Sequence, residues 1–308
     1  MRTCDFAENY KNLLTPDIVS LLTQIHEYKG QQALILKDRA DILASRWEIA
    51  KVQNTEAFSQ MEGICIPDGR LKKLVQDKTT PRTHSEQQVA GYRDALTAIA
   101  ENFAYLPPKS PMILQLHREL YKFSGMPSSG SYKTEDHGIA EADIHGSRPA
   151  AFPTLPAQET PEAMDRLCQS YEEAVRAGEM DPLLLIPMFL LDFLCISPFR
   201  EGNGTMSRLL ALLLLCRAGY FVGKYVSMEK RMAQSQETYY EAMRQSSRRW
   251  REGANDYAPF VKYTLSVAAA AYQELFAQIQ AVSMGAMSKP NRIREIIRGT
   301  PGKITKGE

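Results

Sequence analysis

Two almost wholly apolar runs, residues 183–196 (LLLIPMFLLDFLCI) and residues 209–216 (LLALLLLC), stand on either side of one polar string, SPFREGNGTMSR, at residues 197–208. A helix needs about 20 apolar residues to cross a bilayer. Both runs are shorter than that, and Asp192 interrupts the first. They therefore predict two helices buried at the centre of a soluble helical bundle, with the polar string joining them.

The rest of the chain supplies the surrounding helices. Ile18, Leu21, Leu22 and Ile25 share one helical face, which predicts a helix over residues 17–28 with Gly30 as its stop. Further helices are expected over residues 37–58, ending near Gly63, and over 86–105 and 112–123, with Pro107 and Pro108 breaking the chain between the last two. Residues 161–177 follow, with Pro161 in the first turn and Gly178 as the cap, then residues 228–250 and 257–279. The expected fold class is all-α, with one exception. Residues 125–160 are dense in Gly, Pro, Ser and Asp, and there residues 132–134 and 137–139 read as the two arms of a hairpin.

Composition removes several functions. Lys and Arg number 37 against 36 Asp and Glu, so no global charge advertises nucleic-acid binding. The five cysteines (Cys4, Cys65, Cys168, Cys195, Cys216) are scattered without a CxxC pair, and the five histidines show no ligand spacing. This predicts reduced thiols, no zinc site and a cytoplasmic location. The opening MRTCDFAENY carries no apolar core of a signal peptide. After Gln280 the chain turns basic. Ile293, Ile296 and Ile297 in KPNRIREIIRGTPGKITKGE resemble the start of a winged helix-turn-helix, with Thr305 as a helix N-cap. Nucleic acid is an expected partner only if that segment belongs to such a unit, and a frayed basic tail is the alternative.

The chemistry lies in the polar string. Gly202, Asn203 and Gly204 at a helix start read either as a plain connection between two helices or as an anion site, because glycines let the backbone approach closely and the first N–H groups of the helix point outward. Arg208, one turn on, can add a bidentate phosphate contact. Glu201 offers a single carboxylate, which suits Mg²⁺, an ion that takes its other ligands from water and substrate phosphates.

The full string resembles the signature of the Fic (filamentation induced by cAMP) family, H-P-F-x-[D/E]-G-N-G-R-x-x-R. Pro198, Phe199, Glu201, Gly202, Asn203, Gly204 and Arg208 match it. EGI at residues 62–64, GYRDAL at 91–96, LHREL at 116–120, GSYKTEDHGI at 130–139, DPLLLI at 181–186 and ETYYEAM at 237–243 resemble the family too. The resemblance implies an N-terminal helical region over residues 1–85, a Fic core over 86–280 and a basic segment over 281–308. It implies AMP transfer from ATP and Mg²⁺ to a Ser, Thr or Tyr hydroxyl of a protein, the chain itself included. Gly202, Asn203, Gly204, Thr205 and Arg208 then face the ATP phosphates, Glu201 the metal, and Tyr239 and Tyr240 the adenine. Phe199 anchors the loop, and residues 132–152 form a β-hairpin flap that aligns the target by strand addition.

Two positions depart from the signature. Ser197 stands where the family has the histidine that takes a proton from the attacking hydroxyl, and Thr205 where it has its first arginine. General base catalysis is worth about 10²–10⁴-fold. Phosphoryl-type transfer depends mainly on positioning and charge, so a slow transferase remains the leading reading; no histidine lies close in sequence, and His137 or His145 on the flap could serve as base only by approaching in space. A nucleotide-binding pseudoenzyme is the alternative, beside transfer of another phosphate-linked group and AMP removal. Glu62 and Gly63 also match the end of the family's inhibitory helix, which implies pairing of Glu62 with Arg208. Phe58 occupies the usual hydroxyl position of that motif, with Ser59 one place later.

Overall fold

The computed structural model describes residues 6–136, 138–139 and 152–286. Along these residues the helices are α1 (Phe6–Tyr10), α2 (Pro16–Asp38), α3 (Ala40–Met61), α4 (Asp68–Val75), α5 (His84–Asn102) and α6 (Ser110–Leu120). After the loop come α7 (Thr160–Ala177), α8 (Pro182–Ile196), α9 (Asn203–Arg217), α10 (Val222–Tyr225), α11 (Met228–Gln234), α12 (Gln236–Ser247) and α13 (Ala258–Ala286). The all-α class holds.

The two apolar runs become α8 and most of α9, which pack on each other at the centre. In α8 every residue from Leu183 on is buried, and α7 and α13 flank it. Asp181 caps the start by accepting from the Leu183 N–H at 2.9 Å, and Pro182 occupies the first turn. Pro187 lies inside the helix. An interior proline costs about 3 kcal/mol, yet each buried large aliphatic or aromatic side chain returns about 1.5–3 kcal/mol, so packing overrides the local cost. Asp192, fully buried, accepts from Trp250 Nε1 at 2.5 Å and Tyr257 Oη at 2.8 Å, which satisfies it inside the core. No described helix is long and apolar enough to cross a membrane.

Several boundaries differ from expectation. Gly30 does not stop α2, which runs on to Asp38. Just beyond Gly30, the buried Gln32 donates to the Gly219 carbonyl and accepts from the Phe221 N–H and Tyr272 Oη. Those tertiary bonds outweigh the roughly 1 kcal/mol that a helical glycine costs. The helix expected over residues 228–250 divides at Ser235, whose Oγ bonds the Arg231 carbonyl and Tyr263 Oη. The predicted cap of α7 is present, with Gly178 left-handed at φ 68°.

The hairpin pairs differently. β1 (Gly138–Ile139) runs antiparallel to β2 (Phe152–Pro153), not to residues 132–134. The Lys133 N–H instead donates to the Pro198 carbonyl at 2.9 Å. Beyond this two-pair ladder the expected flap is not seen, and residues 140–151 lie outside the described residues. So do His137, His145, Cys4 and the segment likened to a winged helix. Among the described residues, Cys65, Cys168, Cys195 and Cys216 form no disulfide.

Candidate active site

The polar string begins where α8 ends. Ser197 is left-handed, at φ 49° and ψ 65°, and only 1% exposed. A non-glycine residue pays about 1–2 kcal/mol for that conformation, so the surroundings must impose it. Three bonds do so. The Ser197 N–H donates to the Phe193 carbonyl at 2.9 Å, and Lys133 grips both neighbours. The Lys133 Nζ donates to the Ile196 carbonyl at 3.0 Å, while its N–H holds the Pro198 carbonyl. Lys133 Nζ also donates to Thr154 Oγ1 at 3.2 Å, joining the residue just after β2 to the loop. Burial pulls this ammonium down to about 8, with Asp136 acting the other way.

Phe199 is fully buried and stacks on His117, with centroids 3.8 Å apart and planes 4° apart. Asn203 closes the loop on itself. Its Nδ2 donates to the Phe199 carbonyl at 2.7 Å, and its Oδ1 accepts from the Phe199 N–H at 2.9 Å. The side chain of Asn203 is thus committed to shaping the turn. His117 Nδ1 accepts from the Gly130 N–H at 2.9 Å, so its proton sits on Nε2, which donates to the Glu201 carbonyl at 3.2 Å. Burial pushes His117 down to about 4, so it is neutral near pH 7. Gly202 is obligatory on two counts. Its φ is 78°, and a Cβ there would lie 2.5 Å from Tyr121 Oη.

These contacts set the geometry at the start of α9. The N–H groups of Asn203, Gly204 and Thr205 occupy its first turn, where no intrahelical acceptor exists. Glu201 is exposed at the mouth. Among the described residues no cluster of three or more His, Cys, Asp or Glu is placed to hold a metal by itself. A single carboxylate beside a phosphate cradle fits Mg²⁺, which keeps waters and draws its remaining ligands from the substrate.

Behind the turn lies a charged cluster. Arg208 Nε donates to Glu229 Oε1 at 2.5 Å, and Arg208 Nη2 donates to Glu62 Oε1 at 3.0 Å and Thr205 Oγ1 at 3.2 Å. Thr205 Oγ1 donates to the same Glu62 oxygen at 2.7 Å. Burial works against the Arg208 charge, but Glu229 and Glu62 more than offset it and hold the guanidinium protonated. Burial raises the Glu229 carboxyl, and Arg208 draws it back toward the ionised form. Glu62 closes α3, its N–H donating to the Phe58 carbonyl at 3.0 Å. Phe58 itself is core, stacked on Tyr92 with centroids 4.3 Å apart, and Tyr92 Oη donates to Glu229.

The structure therefore brings Ser197, Glu201, Gly202, Asn203, Gly204, Thr205, Arg208 and Glu62 to one place. Tyr239 is buried against Phe260 and Tyr263, with Tyr240 edge-on at 5.3 Å. Sequence reasoning missed Glu229, Lys133, Tyr92 and His117 as parts of the site. Tyr92, His117 and Lys133 lie inside the quoted GYRDAL, LHREL and GSYKTEDHGI strings. Glu229, in the first turn of α11 after the Ser227 cap, reads only as a charge favourable to a helix start.

Residues 107–215 match the family model described as "Fic/DOC family". Solved structures share the fold. A Fic family protein from Desulfovibrio desulfuricans G20 superposes with a TM-score of 0.70 at 22% identity, over 96% of this chain and 82% of that one. A Fic domain containing signaling protein from Bacteroides thetaiotaomicron VPI-5482 gives 0.67 at 20% identity, over 83% of this chain and 94% of that one. Fic-1 from C. elegans gives 0.63 at 16% identity, over 86% and 73%. No curated protein sequence matches the chain.

Proposed function

We propose that this chain, whose residues 107–215 belong to the Fic/DOC family, transfers AMP from Mg-ATP to a protein hydroxyl and is held in check by Glu62. The observation that carries this reading is the start of α9. There a glycine-flanked turn, locked by Asn203 and Phe199, aims backbone N–H groups outward with Glu201 at its mouth and Arg208 behind it.

In the proposed reaction a target hydroxyl oxygen bonds to the α-phosphorus of ATP. The bond from that phosphorus to the bridging oxygen breaks, pyrophosphate leaves with the electron pair, and the hydroxyl proton passes to solvent or a base. The α9 N–H groups stabilise the phosphate oxygens as charge develops. Glu201 would hold Mg²⁺, which when bound neutralises phosphate charge. Gly202 and Gly204 let the backbone approach, Thr205 offers a hydroxyl, and Tyr239 and Tyr240 border the adenine. Ser197 cannot accept the proton near neutral pH without a base of its own, so the reaction rests on positioning, and the rate is correspondingly low.

The domain division proposed is a regulatory helical region over residues 1–85, a catalytic core over 86–280 and a basic segment over 281–308. The targets are Ser, Thr or Tyr hydroxyls of a cytoplasmic protein or of the chain itself.

A second reading is a nucleotide-binding pseudoenzyme, favoured by Ser197 and by the two carboxylates that share Arg208. Incubation with Mg²⁺ and ATP labelled at the α- or γ-phosphate separates the two. Protein-bound α-label without γ-label supports AMP transfer. ATP binding without either label supports the pseudoenzyme.

A further inference from the structure

Arg208 is held by two carboxylates that differ in what they can do. Glu62 is 37% exposed at its side chain and can withdraw into solvent, whereas Glu229 is 6% exposed and Arg208 7%. Glu229 is also fixed from its far side. Its second oxygen accepts from Tyr92 Oη, and Tyr92 is itself clamped by the Phe58 stack. Glu229 therefore stays on Arg208 Nε whatever Glu62 does.

That bond aims the guanidinium. With Nε tied to Glu229, the Nη1 and Nη2 end of the planar group points toward the opening turn of α9. Nη2 bonds Thr205 Oγ1, and Nη1 lies so close to Gly204 that a Cβ there would meet it at 3.3 Å. This is the end that a phosphate would grip. The same bond weakens the grip. With Glu62 withdrawn, the +1 of Arg208 stands beside the −1 of Glu229, and Thr205 adds a hydroxyl but no charge. A phosphate arriving at this turn meets a neutral pair, so attraction falls to the backbone N–H groups and to a cation carried by the ligand itself.

We infer that Glu229 is a positioning residue that aims Arg208 at the phosphate-binding turn and, through its charge, sets a low affinity for polyphosphate, so that the site favours one delivered with a divalent cation. The inference rests on the nucleotide reading of the site given above. Glu229→Gln separates the two roles. The amide oxygen can still accept from Arg208 Nε and the amide nitrogen can donate to the Tyr92 oxygen, so the aim is kept while the charge is lost.

The test is calorimetric titration of the full chain with Mg-ATP and with Mg-tripolyphosphate, in Glu62→Gly, Glu62→Gly/Glu229→Gln and Glu62→Gly/Glu229→Leu. Removing the buried negative charge predicts roughly tenfold tighter binding in the Gln variant. The Leu variant, which loses the aim as well, binds more weakly than the Gln variant. A purely structural role predicts no tightening, and equal or weaker binding in a folded Gln variant overturns the inference. Tripolyphosphate that tightens while ATP binds none of the variants keeps Glu229's role and removes the nucleotide reading. ATP that binds the Glu62→Gly and Gln variants equally does the reverse. If neither ligand binds, both fall. Should Glu229→Gln fold poorly, Tyr92→Phe in the Glu62→Gly background asks the same question with the same sign. The phenol donor favours the ionised carboxylate, so its loss reduces the charge that Glu229 sets against Arg208, and polyphosphate binding tightens. Unchanged binding there also overturns the inference.

Discussion

Glu62, the residue that caps α3, accepts a hydrogen bond from Arg208 Nη2 at 3.0 Å across 146 positions of sequence. The contact joins the N-terminal helical region to the turn proposed to bind nucleotide. A phosphate needing Arg208 must first displace Glu62.

Glu62→Gly is expected to raise nucleotide affinity. A hydrogen bond to a charged group contributes about 1.5–3 kcal/mol, but Glu62 is 37% exposed and solvent screens the pair. About tenfold tighter ATP binding and a matching gain in AMP transfer below saturation follow. Titration and rates at several ATP concentrations check it. An unchanged Kd removes Glu62 as a lock.

Gly202→Ala is expected to cost about 1–3 kcal/mol of stability and to abolish nucleotide binding. The residue sits at φ 78°, and its new Cβ would press on Tyr121 Oη. Thermal unfolding and ATP titration of the folded fraction measure the two effects separately. A variant with normal binding would show that the turn tolerates displacement.

His117 carries a pH dependence of defined sign. Its folded value, about 4, lies below its ordinary 6.5. Between those values the unfolded chain binds the extra proton, so stability present above about pH 6.5 is lost as pH falls toward 4. The loss is on the order of 3 kcal/mol. Denaturant titrations from pH 7 to 4 should show it in the natural chain and not in His117→Asn.

Lys133 has the same sign in a different window. Its folded value of about 8 lies below the ordinary 10.5, so the unfolded chain holds more protons between the two and stability rises with pH there. Lys133→Met should remove that rise. It should also lower the transfer rate with ATP affinity little changed, because the lysine ammonium holds the Ile196 carbonyl, next to Ser197, and Thr154, and touches none of the groups proposed to face phosphate. Lys133→Arg, which keeps donors, should restore part of the rate.

Much of this was legible in the sequence. Two leucine-rich runs too short for a membrane could only be buried helices, and they are α8 and α9. Gly202, with the asparagine after it, marked the turn, and the glycine is needed there for its φ and for the space that Tyr121 takes. Gly30 misled, because a propensity of about 1 kcal/mol yields to the tertiary bonds that Gln32 makes beyond it. The break at Ser235 depends on Tyr263, a partner 28 residues away that no local pattern indicates. Glu229 and Lys133 were hidden for a similar reason. An acid at a helix start and a lysine in a polar loop look solvated, and only the packing of α3, α5, α8 and α9 buries them against Arg208 and the Ile196 carbonyl.

The central claim is AMP transfer despite Ser197. Its most direct test is incubation of the full chain, natural and Glu62→Gly, with Mg²⁺ and ATP labelled at the α- or γ-phosphate, with Glu201→Ala as control. The account predicts slow incorporation of α-label alone, faster in Glu62→Gly and absent in Glu201→Ala. ATP bound by Glu62→Gly with no label transferred from either position would contradict it.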